Sequence, residues 1–115
     1  MKKVLYSIAA ILFLVTSLQA QLIKTQMHVT IRNDLGNTEE GVIVQLYETE
    51  DDYKEEKNIA AEGVTDAKGI AKFKELKPIS YFILAKKDDK NNFGGGEQTG
   101  KLEENRINKV TIVIE

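Results

Sequence analysis

The chain has no cysteine, no tryptophan, one proline and one histidine among 115 residues. Without cysteine there is no disulfide, no thiolate nucleophile and no residue to carry a bacterial lipid anchor, so an exported domain would rest on its apolar core alone. The single histidine, His28, cannot complete a zinc site with no cysteine to help it. Beyond Ser7 and Ser17 only Ser80 supplies a serine, and no Ser-His-acid arrangement is legible. With no tryptophan, four tyrosines and four phenylalanines, broad aromatic platforms for stacking sugars or bases are scarce. Basic excess is missing as well. Against 16 Lys and Arg stand 18 Asp and Glu, and removal of Lys2 and Lys3 with an N-terminal leader leaves 14 against 18, a net charge of −4. Nucleic acid and anionic membrane are therefore not expected partners.

The N-terminus has a three-part layout. Lys2 and Lys3 precede an uncharged apolar run from Val4 to Val15, and Thr16-Ser17-Leu18-Gln19-Ala20 follows. This predicts a secretory signal peptide over residues 1–20, cut after Ala20, and a secreted or periplasmic mature chain over residues 21–115. The apolar run falls short of the roughly 20 residues that cross a bilayer, so no stable membrane insertion is expected after cleavage. About 95 residues make one domain, which can bury roughly 60 to 70% of its unfolded surface.

Period-two alternation marks the strands. Met27, Val29 and Ile31 alternate with polar neighbours over Thr25–Arg32, and Asn33-Asp34-Leu35-Gly36-Asn37 ends that strand in turn-forming residues. A second strand is expected after Gly41, with Val42, Val44 and Leu46 inward and Tyr47 at the surface or edge. Glu48 to Lys57 holds six acids, two lysines and little apolar besides Tyr53, so it is not expected to form core. Thr49 followed by Asp52, with lysines later, predicts one or two helical turns there. Ala60–Thr65 and Ile70–Glu75 read as antiparallel mates joined by a hairpin at Asp66-Ala67-Lys68-Gly69. Pro78 forces a turn over Leu76–Ser80. Tyr81–Lys86 carries apolar residues on both faces, as a central strand does. Lys87–Gly96 reads as the longest loop, and Asn108–Glu115 as a terminal strand that must pair with a neighbour.

Asp34-Leu35-Gly36-Asn37, Gly41-Val42-Ile43-Val44-Gln45-Leu46, Thr65-Asp66 with Gly69, and then Phe73, Leu76, Pro78, Tyr81 and Ile83 fall in an order that resembles the carboxypeptidase regulatory-like group. Cna-B-like and prealbumin-like domains are close to that group. The resemblance covers about 50 residues and implies an all-β, Greek-key, prealbumin/Ig-like β-sandwich of about seven strands. It also implies that Phe73 and Tyr81 are core. Members of the group serve as stalks, adaptors and accessory domains of secreted or outer-membrane proteins, and some bind carbohydrate. Some Cna-B-like domains carry a Lys-to-Asn isopeptide bond promoted by an acid four positions after the tyrosine of the middle strand. That position is Ala85 here, so the cross-link is not expected even though Lys24 and Asn108 are available. Transthyretin-related hydrolases use several histidines and end in Tyr-Arg-Gly-Ser, and ring-cleaving dioxygenases hold iron with paired tyrosines and histidines. One histidine and the ending Val113-Ile114-Glu115 exclude both, and no enzymatic activity is expected.

The candidate binding loop is Phe93-Gly94-Gly95-Gly96, with Phe93 either an exposed anchor or folded back over Phe82 and Leu84. Tyr53, Asp51 and Asp52 of the acidic run accompany it. No cofactor is expected. Calcium is the one ion whose oxygen chemistry the acidic run or Asp88-Asp89-Lys90-Asn91-Asn92 could serve, although neither spacing matches a known loop. These residues point to a noncatalytic exported module that binds another exported or cell-envelope protein through sandwich-end loops or a strand edge. A small carbohydrate-binding module, stacking a sugar on Tyr47, Tyr53 or Phe93, is the alternative.

Overall fold

The computed structural model describes residues 24–95 and 97–115; the expected signal segment and its cleavage site lie outside the described residues. Among these described residues, seven strands and one short helix follow in the order β1 (Gln26–Asn33), β2 (Ile43–Tyr47), α1 (Glu50–Glu55), β3 (Ala61–Val64), β4 (Ile70–Phe73), β5 (Phe82–Lys87), β6 (Lys90–Asn91) and β7 (Ile107–Ile114). They form two sheets, β4-β1-β7 and β3-β2-β5-β6, and the chain crosses between them after β1, β3, β4 and β6. All pairings are antiparallel except β1 with β7, which run parallel in register from Gln26↔Ile107 to Asn33↔Ile114. The all-β sandwich expected from the sequence is the observed architecture.

Alternation puts the core where it was read. Met27, Val29 and Ile31 of β1, Val44 and Leu46 of β2, Ile83 and Ala85 of β5, and Ile112 and Ile114 of β7 are buried between the sheets. Phe73 and Tyr81 join them, and the Tyr81 hydroxyl accepts the Lys77 N–H at 3.0 Å, tying the Pro78 turn to β5.

Two expectations are corrected by the sheet assignment. β3 and β4 are not hairpin mates: β3 pairs with β2 and β4 with β1. The Asp66–Gly69 turn is present, closed by Gly69 N–H to Asp66 carbonyl at 2.9 Å and by Lys68 and Ile70 N–H groups on the Asp66 carboxylate. It carries the chain from one sheet to the other, and Gly63 and Phe73 then meet across the core, where a Cβ on Gly63 would sit 3.4 Å from the Phe73 ring. Gly69 itself has φ +79°, and a Cβ there would lie 2.7 Å from the Thr38 Cβ. Lys87–Gly96 is not wholly loop either, since β6 pairs Lys86↔Asn91 and Lys87↔Lys90 with β5.

Candidate binding site at the Phe93 loop

The outer face of the four-stranded sheet carries a second, smaller core. Tyr47, Leu84 and Tyr53 are buried there, with Phe82 packed against them. The acidic run therefore does contribute core, contrary to expectation, because it folds as α1 and lays its one aromatic residue on the sheet. Thr49 caps the helix by accepting the Asp52 N–H at 3.1 Å, and Glu50, Asp51 and Asp52 occupy the first turn, where acids suit the helix dipole. The chain leaves the helix through Glu56 in the left-handed region. Tyr47, expected at the surface or edge, does lie on the outer face of its sheet, but α1 covers it completely. Its hydroxyl donates to Gln45 at 2.9 Å, and burial raises its pKa, with Glu56 and Glu62 adding to the shift.

Tyr53 is the hub. Its ring meets Tyr47 edge-on at 6.1 Å, Phe82 at 5.9 Å, and Phe93 face-on at 5.7 Å with an interplanar angle of 17°. Phe93 thus leans on the outer core through Tyr53 while 53% of its surface remains exposed. The Tyr53 hydroxyl is buried and has no hydrogen-bond partner among the described residues. Burial raises its pKa. The Gly94 N–H works against that shift without reaching hydrogen-bond geometry, and Glu97 and Glu56 reinforce it.

The loop is held by a residue that the sequence did not single out. Asn92 is buried; its Nδ2 donates to the Ile83 carbonyl at 2.8 Å and its Oδ1 accepts the Ala85 N–H at 2.8 Å. One side chain thus takes over the edge of β5 where β6 ends. Asn91 accepts the Phe93 N–H at 2.9 Å, the Gly95 N–H reaches the Asn92 carbonyl, and the Ile83 N–H reaches the Glu97 carbonyl. Gly94 has φ +84°, which turns the chain directly after Phe93. Gly96 lies outside the described residues. Beside the Phe93 ring a shallow cleft of about 270 Å³ is lined by Glu56, Leu84, Lys86 and Asn91. Lys86 and Glu56 form an ion pair across it.

Of the predicted site residues, the fold brings Tyr53 and Phe93 together. Asp52 serves the helix instead, its carboxylate accepting from Asn58 Nδ2 at 3.1 Å, and Asp51 is exposed on the first turn. Glu48, Glu50, Glu55 and Glu56 are paired with Lys77, Lys54, Lys57 and Lys86. No cluster of three or more His, Asp or Glu able to hold a metal ion occurs among the described residues. His28 lies on the outer face of the other sheet, registered between Lys72 and Lys109, and its pKa is lowered by partial burial and then by these two charges. At the positions weighed for an isopeptide bond, Lys24 is paired with Glu75 at 2.7 Å. Asn108 Nδ2 faces the carbonyls of Gln26, Glu103 and Arg106, and Ala85 is fully buried.

No protein-family model matches the sequence, and no curated protein does. Among solved structures the chain is similar to the pilus 2b backbone protein of group B streptococcus, with a TM-score of 0.59 and 17% identity over 79% of this chain and 40% of that one. It is similar also to the Bacillus anthracis TIE protein, with a TM-score of 0.57 and 20% identity over 81% of this chain and 16% of that one. BcpA, the major pilin subunit of Bacillus cereus, has a TM-score of 0.50 and 18% identity over 81% of this chain and 30% of that one. The chain spans less than half the length of each. At these identities the likeness is one of fold, and the fold is a Cna-B-like, prealbumin-like β-sandwich of the kind found in pilus backbone proteins.

Proposed function

We propose that this chain is a noncatalytic exported structural module, and that it docks another exported or cell-envelope protein on the ridge formed by Phe93. The observation that carries this reading is Phe93 itself, half exposed yet stacked on a buried tyrosine, in a loop pinned by Asn92. A large apolar side chain held still in water costs little further ordering when a partner covers it, which is how interface anchors gain their affinity. The likeness to pilus backbone proteins supports the structural role. The signal-like N-terminus supports export to a secreted or periplasmic location, and no described helix is long and apolar enough to cross a membrane. The carbohydrate alternative is weakened, because Tyr47 and Tyr53 are buried and only Phe93 offers a free ring face.

The test is in-cell cross-linking of the tagged chain expressed behind its own N-terminal segment, with identification of the captured species. One abundant envelope protein is expected, and Phe93→Ala should reduce its capture by about ten-fold while circular dichroism shows the domain still folded, the lost stacking contact costing only about 0.5–1.5 kcal/mol beyond its burial. Leu35→Ala, at a residue 81% exposed in the turn after β1, should leave capture intact. Equal capture by the Phe93→Ala chain would overturn the assignment.

A further inference from the structure

One strand edge has a phase and a pattern that fit its own copy. Gln26 N–H donates to the Arg106 carbonyl at 2.9 Å, and in a parallel ladder registered Gln26↔Ile107 this turns the main-chain groups of Asn108, Val110, Ile112 and Ile114 toward β1. Ile107, Lys109, Thr111, Val113 and Glu115 point theirs the other way. Glu115 fits that phase, because it exchanges both main-chain hydrogen bonds with Asn91 at 3.1 Å. Beyond Asn91 the chain peels off toward β5, and among the described residues no main-chain hydrogen bond reaches the outer edge of β7 from Ile107 to Val113.

The exposed aliphatic residues along this edge are symmetric about Val110. Ile107 and Val113, three residues to either side, are each 46% exposed. We infer that β7 pairs antiparallel with β7 of a second copy about a two-fold axis at Val110, forming a dimer through a continuous sheet. In that register Ile107 of one copy lies opposite Val113 of the other at both ends, and Lys109 lies opposite Thr111. All four pairs are of the hydrogen-bonded kind, because both members aim their main-chain groups outward. The charges agree. Beside Val113 a cleft of about 250 Å³ is lined by Phe93, Glu97 and Glu115, and the two-fold axis brings to that acidic end the other copy's exposed Arg106, which within its own chain makes only a surface ion pair with Glu103 at 3.4 Å. Pairing with the β4 edge of another copy fits less well, because Lys72 and Lys74 there both add to the positive charge of Lys109, whereas about the two-fold axis Lys109 meets only its own symmetry mate, on the diagonal. The dimer rests on the main-chain edge of β7 and the docking role on the exposed ring of Phe93, although both border the cleft beside Val113.

Analytical ultracentrifugation of the exported chain from about 10 µM to about 1 mM tests it, since a single strand pair gives a small interface and a weak dimer. The wild-type chain should dimerise, and Ile107→Lys or Val113→Glu alone should weaken the dimer at least about ten-fold, because each places a charge against an aliphatic residue twice over. The double variant, Ile107→Lys with Val113→Glu, should recover to within a few-fold of wild type, each introduced lysine facing an introduced glutamate across the axis. Within one chain the two positions are about 20 Å apart along the strand, so the rescue cannot arise inside a monomer. Circular dichroism checks that the single variants fold, as expected for half-exposed positions. A chain that stays monomeric throughout, or a dimer that ignores the single changes or is not rescued by the pair, overturns the inference. Loss of partner capture by Phe93→Ala with the dimer intact separates the two proposals.

Discussion

Asn92→Ala is the substitution on which the local argument rests most heavily. The side chain is 6% exposed and makes two hydrogen bonds of 2.8 Å, both to the main chain of β5. Removing it strands the Ala85 N–H and the Ile83 carbonyl at an edge that no neighbouring strand covers. A buried main-chain group left unpaired costs about 1–3 kcal/mol, and solvent lies close enough to the loop to soften that, so the pair is worth about 2–4 kcal/mol. For a domain of this size each kcal/mol moves Tm by about 4–8 °C, which predicts a fall of about 8–32 °C. Urea unfolding followed by far-UV circular dichroism gives the free energy, and an unchanged m-value shows that the denatured chain is not what changed. Hydrogen exchange gives the location, since the Ala85 amide should lose protection before the amides of β1 do. Asn92→Asp keeps an acceptor for Ala85 but sets a carboxylate oxygen against the Ile83 carbonyl, so at neutral pH it should behave like the alanine variant. A loss below about 0.5 kcal/mol for Asn92→Ala would refute the reasoning, because it would mean that water or a shifted loop replaces both bonds at no cost.

Two further perturbations follow from the outer core and the basic row. Tyr53→Phe keeps the ring contacts and removes a buried hydroxyl with no partner, so stability should hold or rise by up to about 1 kcal/mol, whereas Tyr53→Ala should lose about 3–5 kcal/mol in urea unfolding. His28 has a folded-state pKa below its ordinary 6.5, so near that pH the unfolded chain binds more protons than the folded one. Stability should accordingly decline as pH falls below about 6.5, and Asp and Glu unchanged, His28→Gln should flatten that part of the thermal-unfolding profile.

The inward residues of β1, β2, β5 and β7 were legible because a strand with one covered face must alternate, and the alternation is local. The doubly apolar pattern of Tyr81–Lys86 was legible for the same reason, and its outer half marked in advance the place where the second core would form. What could not be read was long-range. The Asp66–Gly69 turn has the same residues whether it returns a strand to its own sheet or passes it to the other, and the distinction lies in the long-range pairing of β3 with β2 and of β4 with β1. Tyr47 was placed on the correct face, but nothing near it in sequence reveals that a charged segment will fold over it. Tyr53 was legible as the lone apolar residue of that segment, and its partnership with Phe93, 40 positions later, was not. Asn92 was legible only as one oxygen-bearing residue of the Asp88–Asn92 stretch, since its structural value comes from two main-chain groups of β5.

Those observations bear on one another at Asn92. A β6 that continued past Asn91 would run alongside β7, since Asn91 and Glu115 already exchange both their main-chain bonds. Phe93 would then come opposite Val113, and the free edge would close. By bonding to Ile83 and Ala85 instead, Asn92 draws the chain back onto β5 after two residues of β6. Two consequences follow from this one diversion. Phe93 is delivered to the face of Tyr53 and held there half exposed, and Val113 keeps its outward main-chain groups. Natural sandwiches commonly cover such an edge, because an open strand invites pairing. Here a buried amide keeps it open, and the aliphatic residues at its two ends are spaced so that the partner it fits best is itself.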